Sequence, residues 1–221
     1  MGSRFAEMLE KGVVLFDGAM GTMLYDRGVF INQCFDGVNL SNPGLVESIH
    51  REYVEAGAQV IETNTFGANR FKLSLHSLDD QLADINRAGA EIARRAAEGS
   101  DALVAGAIGP LGIRIEPWGP TSNDEACEAF AEQAGVLLES GVDLFVLETF
   151  ADLGEIHQAI NGVRSVSSLP VLAQMTLQQD GLGLFGTEPG AFAVRLDEWD
   201  VEAVGVNCTV GPRVMLEAVE K

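Results

Sequence analysis

The chain has 221 residues, 47% of them hydrophobic, which is enough to bury one sizeable core. Its formal net charge is −19, from 33 acids against 14 bases, so a polyanionic partner such as nucleic acid is excluded and no basic stretch suits a membrane surface. Three scattered cysteines, Cys34, Cys127 and Cys208, do not form a disulfide framework and predict a reducing, cytoplasmic setting.

The N-terminal eleven residues are polar and mixed in charge, without the apolar core of a signal peptide. The first strand is predicted at Val13-Val-Leu-Phe-Asp17, followed by the glycine-rich turn Asp17-Gly-Ala-Met-Gly21. Asn42-Pro43 opens a helix with Leu45, Val46, Ile49, Tyr53 and Val54 on one face, and Gly57 stops it. Gln59–Thr63 is the second strand. Leu82, Ile85, Gly89, Ile92 and Ala96 mark the next helix, and Ala102–Ile108 the third strand. Ser122-Asn-Asp-Glu125 reads as a capping box ahead of a helix carrying Phe130, Ala134, Leu137 and Leu138. Strand four is Val142–Glu148, and its helix carries Leu153, Ile156, Ile160 and Val163. Strand five is Pro170–Met175, a short helix lies near Glu188 to Leu196, and strand six is Ala203–Asn207. A last helix follows Pro212.

About six βα units in series, with strands that read as continuous apolar runs, imply an α/β fold with a parallel sheet. The polar residues gather at the strand exits: Asp17, Glu62 with Asn64, Glu148, and Asn207 with Cys208. Catalytic groups spread over many C-terminal strand ends suit a (β/α)8 TIM barrel rather than an open sheet with one switch point. The first turn lacks the dinucleotide fingerprint. A whole barrel has eight strands, so the expectation is a barrel truncated after about six units, forming one domain over residues 1–221. Taken singly, each strand-end carboxylate could equally cap a helix, and Cys208 could be a small buried apolar residue. His50, His76 and His157 fall away from the strand ends and are not read as metal ligands.

Six stretches in chain order resemble the homocysteine S-methyltransferase domain family: Phe16-Asp-Gly-Ala-Met-Gly-Thr22, Asn39-Leu-Ser-Asn-Pro43, Glu62-Thr-Asn-Thr-Phe-Gly-Ala-Asn69, Gly106-Ala-Ile-Gly-Pro-Leu-Gly112, Leu147-Glu-Thr149 and Gly205-Val-Asn-Cys208. That family includes betaine-dependent and S-methylmethionine-dependent enzymes and the homocysteine module of cobalamin-dependent methionine synthase. The resemblance implies a (β/α)8 barrel that transfers a methyl group to homocysteine to give methionine. It also implies Zn²⁺ held by three thiolates, the first being Cys208 and the others an adjacent Gly-Gly-Cys-Cys pair. No such pair occurs here, so the expected ligand set is incomplete and this chain alone is expected to be inactive. Bound zinc would keep the substrate thiol deprotonated.

By the same resemblance, Glu148 and Asp17 receive the substrate ammonium. The amides of Gly18, Ala19 and Met20 receive its carboxylate, Asn207 orients the site, and Glu62 and Asn64 shape the rim. The methyl donor stays open, and a fused methylenetetrahydrofolate reductase module in a longer parent is compatible with the sequence. Two other readings remain: a zinc-independent barrel lyase or aldolase using the strand-end carboxylates, and an inactive fragment that associates through exposed sheet edges.

Overall fold

The computed structural model describes residues 3–220. The elements in chain order are α1 (Arg4–Lys11), α2 (Met20–Asp26), α3 (Val38–Ser41), α4 (Pro43–Glu55), β1 (Val60–Glu62), α5 (Arg70–Ser74) and α6 (Leu82–Ala97). They continue with β2 (Leu103–Ile108), α7 (Asn123–Glu139), β3 (Leu144–Phe150), α8 (Leu153–Val166), β4 (Val171–Met175), α9 (Pro189–Glu198), β5 (Ala203–Val206) and α10 (Pro212–Val219).

The five strands form one parallel sheet in the order β1-β2-β3-β4-β5, so each βα unit lies beside the one before it, as in a barrel wall. The predicted first strand is present only as a parallel bridge between Phe16 and Val60. The reason is local: the Leu15 carbonyl accepts from both Gln59 and Val60, while the Leu15 amide donates to the Gln59 side chain at 3.0 Å. A side chain thus stands in for one rung of the ladder. The segment still lies at the sheet edge, because the Asp17 amide donates to the Val60 carbonyl at 3.0 Å.

Alternating strand residues feed two apolar layers. Val60, Leu103, Ala105, Leu144 and Val146 pack on one face around Phe5 of α1. Ile61, Val104, Phe145 and Leu147 face the helices on the other, where Phe130, Ile156 and Ile160 join them. Burial on both faces explains the uninterrupted apolar run of β2. α1 was not predicted, since its sequence is mostly polar, yet its buried Phe5 meets Phe16 edge-on at 6.2 Å and covers one end of the inner layer.

Helix ends follow the local chemistry the sequence announces. Asn42 caps α4, accepting from the Leu45 amide, with Pro43 in its first turn. Ser122 accepts from the Glu125 amide at 3.1 Å and opens α7. Asp152 accepts from Gly154 and Glu155 and opens α8. No helix among the described residues is long and apolar enough to cross a membrane.

α7 and α8 pack closely through Gly162, where a Cβ would stand 2.7 Å from the Cys127 carbonyl oxygen and 2.8 Å from the Phe130 Cβ. Gly162→Ala therefore forces the helices apart and lowers stability by about 1–3 kcal/mol. Urea unfolding reads this directly; a loss below about 0.5 kcal/mol would show that the helix pair shifts without strain.

Candidate functional site

The parallel sheet delivers all its strand exits to one side, where a cavity of about 1030 Å³ opens. Asp17, Gly18, Ala19, Met20, Glu62, Asn64, Glu148, Asn207 and Cys208 all line it, so every residue singled out in the sequence reaches this one space.

Asn207 organises its far side. Standing just after β5, it donates from Nδ2 to Glu148 Oε2 at 3.1 Å and Thr149 Oγ1 at 2.8 Å, with Cys208 Sγ 3.5 Å away. Its Oδ1 accepts from the Thr149 amide at 2.9 Å. The side chain spans β4 to tie the end of β5 to that of β3. The backbone bends to allow it: Thr149, Cys208 and Thr209 have φ of 65°, 54° and 58°, in the left-handed region that residues with a Cβ rarely occupy. The β3–β4 register also shifts between Leu147 and Phe150, so Glu148 and Thr149 sit at an irregular step within β3 instead of beyond its end. Strained backbone of this kind concentrates at functional sites.

Three carboxyls form the near side. Asp17 Oδ2 accepts from the Glu62 amide at 3.0 Å, which fixes the first turn to β1. Glu62 and Glu148 share a side-chain hydrogen bond. Burial pushes Asp17 up to about 7, against the Glu62 amide, and nearby Glu148 adds to the rise. Burial also pushes Glu148 up to about 6, opposed by the Glu62 hydrogen bond and by Lys72. Glu62 rises well above the ordinary glutamate range through burial, then through the charges of Glu148 and Asp17. The two glutamates therefore titrate as a pair, with both carboxyls pushed towards the protonated form by burial. A cation placed among these groups would let all of them ionise.

The turn after Asp17 is shaped for close approach. A Cβ on Gly18 would stand 2.9 Å from the Tyr53 hydroxyl. Met20 opens the short helix α2, which the glycine-rich sequence concealed, and no side chain caps it. The polar run Glu62–Asn69 divides by role. Thr63 Oγ1 accepts from the Ala107 amide and Thr65 Oγ1 donates to the Ala107 carbonyl, extending the β1–β2 ladder through side chains. Asn64 Nδ2 donates to the Phe35 carbonyl and to Asn39 Oδ1, so its amide hydrogens pin the first long loop.

The sequence reading missed Cys34, Asp36, Phe66 and Lys72, which also line the cavity. They sit on loops and a short helix, where apolar periodicity carries no signal. His76 lies on the rim, whereas His50 is fully buried in α4 with its imidazole pushed down to about 4 by burial. All three cysteines are free thiols, and Cys208 is exposed.

Comparison with known proteins gives a consistent result. A family model described as homocysteine S-methyltransferase matches residues 14–221. Methionine synthase of Mycobacterium leprae (strain TN) is 34% identical over 227 residues, covering 96% of this chain but 19% of that protein. Betaine–homocysteine S-methyltransferase 1 of Sus scrofa is 32% identical over 220 residues, covering 97% of this chain and 77% of that protein. Among solved structures, the metallated form of the homocysteine methyltransferase MmuM from Escherichia coli superposes with a TM-score of 0.84 at 26% identity, over 97% of this chain and 81% of that one. Its apo form gives 0.76 at 28% identity. The chain therefore spans about a fifth (19%) of the mycobacterial methionine synthase. The serial parallel strands are those of a (β/α)8 barrel, about six units of which lie in this chain.

The carboxyl cluster has a measurable cost. Its folded-state pKa values lie above the ordinary carboxylate range of about 4, so folding takes up protons and the ligand-free protein loses stability as pH rises from about 4 through about 7. Glu62→Gln offers Glu148 an amide donor and removes one acid. The variant should melt higher than the wild type at pH 8, and the gap should close at pH 5. Equal melting at pH 8 would mean that the carboxyls do not repel one another in the folded protein.

Proposed function

The chain belongs to the homocysteine S-methyltransferase family, and on that premise we propose that residues 1–221 form a homocysteine-binding module that passes a methyl group to the substrate thiol, giving methionine. One observation carries the reading: three mutually repelling carboxyls and the Asn207-Cys208 strand exit converge on a single cavity. A cluster that lacks a cation is matched by an amino acid's ammonium, and the thiol-bearing exit lies across the same space.

In this reading Glu148 and Asp17 hold the α-ammonium. Glu62 gives up its proton on binding or keeps it to orient Glu148. The amides of Gly18, Ala19 and Met20, adjoining Asp17 in the chain, take the α-carboxylate. Ammonium and carboxylate share one carbon, so their receptors must be neighbours, and these are. The side chain then extends toward Cys208. Asn207, fixed by Glu148 and Thr149, sets the distance between the ammonium site and the thiol end. In the transfer the homocysteine S–H proton is lost, a sulfur–methyl bond forms, and the donor's methyl bond breaks with its electron pair staying on the donor. Holding both partners in line supplies much of the acceleration.

Zinc needs donors that the described residues do not complete. Among them no group of three His, Cys, Asp or Glu side chains stands together as a metal site. Cys208 offers one exposed thiol, and a single thiolate holds zinc poorly. We assign Cys208 as one ligand of Zn²⁺ whose remaining ligands come from outside this set, and route no step of the chemistry through the metal. The free cysteines also support a reducing, cytoplasmic location. A multidomain parent, with a reductase or other methyl-supplying module, is compatible with this reading.

Two substitutions in the full natural protein test it. Cys208→Ala should abolish both zinc retention and methyl transfer, read by metal analysis and by methionine formation; full activity would remove Cys208 from the site. Glu148→Ala should raise the homocysteine KM at least tenfold, the effect of losing a charge-assisted contact of about 1.5–3 kcal/mol, with zinc retained. Loss of zinc with an unchanged KM would instead place Glu148 at the metal.

A further inference from the structure

A second cavity, of about 610 Å³, is walled by the segments that follow β2, β3 and β4. It shares no lining residue with the main cavity. Trp118 and Phe185 enter it from two different loops and stack, with ring centroids 6.4 Å apart and planes 26° apart. Both rings are largely left to solvent, at 67% and 62% exposure, and Leu184 beside them is exposed as well. Tight turns hold them there. The Trp118 amide donates to the Ile115 carbonyl at 3.0 Å and the Glu116 amide to the Thr121 carbonyl at 2.8 Å, while a Cβ on Gly119 would overlap the Arg114 carbonyl. On the other loop the Gly183 amide donates to the Thr187 carbonyl at 2.8 Å. Aromatic surface presented in this way beside a cavity marks a ligand site.

The polar groups of this cavity carry opposite signs. Glu155, in the first turn of α8, is only 8% exposed. Its Oε1 accepts from the Leu111 amide at 2.8 Å, and its Oε2 has no hydrogen-bond partner among the described residues. Burial pushes this carboxyl up to about 7, against the Leu111 amide, with Asp152 adding to the rise and Lys72 opposing it. A buried carboxylate with an unused oxygen is costly until a donor reaches it. Asp152, also in the wall, already gives its Oδ1 to the amides of Gly154 and Glu155. Arg114 is the one cation lining the cavity. Every other arginine of the chain is in an ion pair; among the described residues Arg114 is in none.

These features together select a ligand class. A simple amine would satisfy Glu155 and leave Arg114 without a counter-ion. A simple carboxylate would do the reverse, and an apolar molecule would answer neither. One molecule that carries an ammonium, a carboxylate and an apolar body matches all three. We propose that this cavity is a binding site for a zwitterionic α-amino acid with an apolar side chain. Its ammonium donates to Glu155 Oε2, its carboxylate accepts from the Arg114 guanidinium, and its side chain covers Trp118 and Phe185. The site is separate from the cavity at Glu148 and Cys208 and does not depend on how that cavity is read.

The test uses the full natural protein labelled with 5-fluorotryptophan and read by ¹⁹F NMR. The Trp118 resonance is the one missing in Trp118→Phe; Trp199, stacked on His157 at 4.1 Å, lies outside this cavity and serves as an internal reference. L-leucine and L-methionine are titrated in turn. Leucinamide lacks the carboxylate, N-acetyl-leucine lacks the ammonium and glycine lacks the apolar body. Both amino acids should move the Trp118 resonance saturably, and each of the three controls should bind at least tenfold more weakly. Glu155→Gln keeps an acceptor for the Leu111 amide, and Arg114→Met keeps the apolar stem; each should weaken leucine at least tenfold. Arg114 holds no ion pair, so that variant gives a reading even where Glu155→Gln does not fold. Leucinamide binding as tightly as leucine would overturn the assignment by making this an amine site. Binding unchanged in Arg114→Met would remove the carboxylate receptor and overturn it too, as would a Trp118 resonance that no probe moves.

Discussion

The amide of Asn207 is the contact on which the site's geometry depends. It reaches from the exit of β5 across β4 to the exit of β3, and holds Glu148, Thr149 and the Cys208 sulfur in one arrangement. An amide suits this position because its donor and acceptor work together: Nδ2 serves the side chains while Oδ1 takes the Thr149 amide. An aspartate would lose the donor and set a further negative charge against Glu148. The left-handed backbone at Thr149 and at Cys208-Thr209 becomes intelligible in these terms. Each lies beside the asparagine, and the hydrogen bonds offset the local strain of about 1–3 kcal/mol per residue.

Charge sets the second constraint. A protein of net charge −19 would relieve repulsion by spreading its acids over solvent, yet here Asp17, Glu62 and Glu148 are brought together at a half-buried rim. The stability lost there is the binding free energy a cationic group recovers, since a ligand that favours the folded state stabilises it by mass action. Lys72 fits the same logic with the sign reversed. Among the described residues it forms no ion pair; its ammonium lies over the Phe66 ring in the same cavity, where it favours the ionised form of Glu148.

The apolar repeats made most of the architecture legible. β2 through β5 fall within a residue or two of their predicted runs: in β2 and most of β3 burial on both faces leaves an uninterrupted apolar signal, and β4 and β5 are apolar runs that the structure leaves partly exposed. Asn42-Pro43 and Ser122 mark helix starts through capping chemistry that acts locally, so no tertiary knowledge was needed. The first strand was over-read, because Gln59 satisfies the Leu15 amide with its side chain and no regular ladder forms. α1 and α2 were missed for opposite reasons: one hides a single anchoring Phe5 among polar residues, the other begins in a glycine-rich run that imitates a loop. Within the site, residues at strand exits were found by position. Cys34, Asp36, Phe66 and Lys72 were not, since they enter the cavity from connecting segments whose path only the folded chain defines.

The polar run after β1 shows how closely scaffold and site can be interleaved. Glu62 turns its carboxyl to the cavity, the next three residues tie β1 to β2 and to the first long loop, and Phe66 then carries the ring beneath Lys72. Five successive residues thus alternate between building the wall and furnishing it. A hydroxyl at position 63 or 65 is therefore no less consequential than the carboxyl at 62. Removing it leaves the buried peptide of Ala107 without a partner, and an unpaired buried amide or carbonyl costs about 1–3 kcal/mol. The wall that would then relax is the one that sets the Glu62–Glu148 contact. In this stretch the fold cannot be weakened without also detuning the charges that face the ligand.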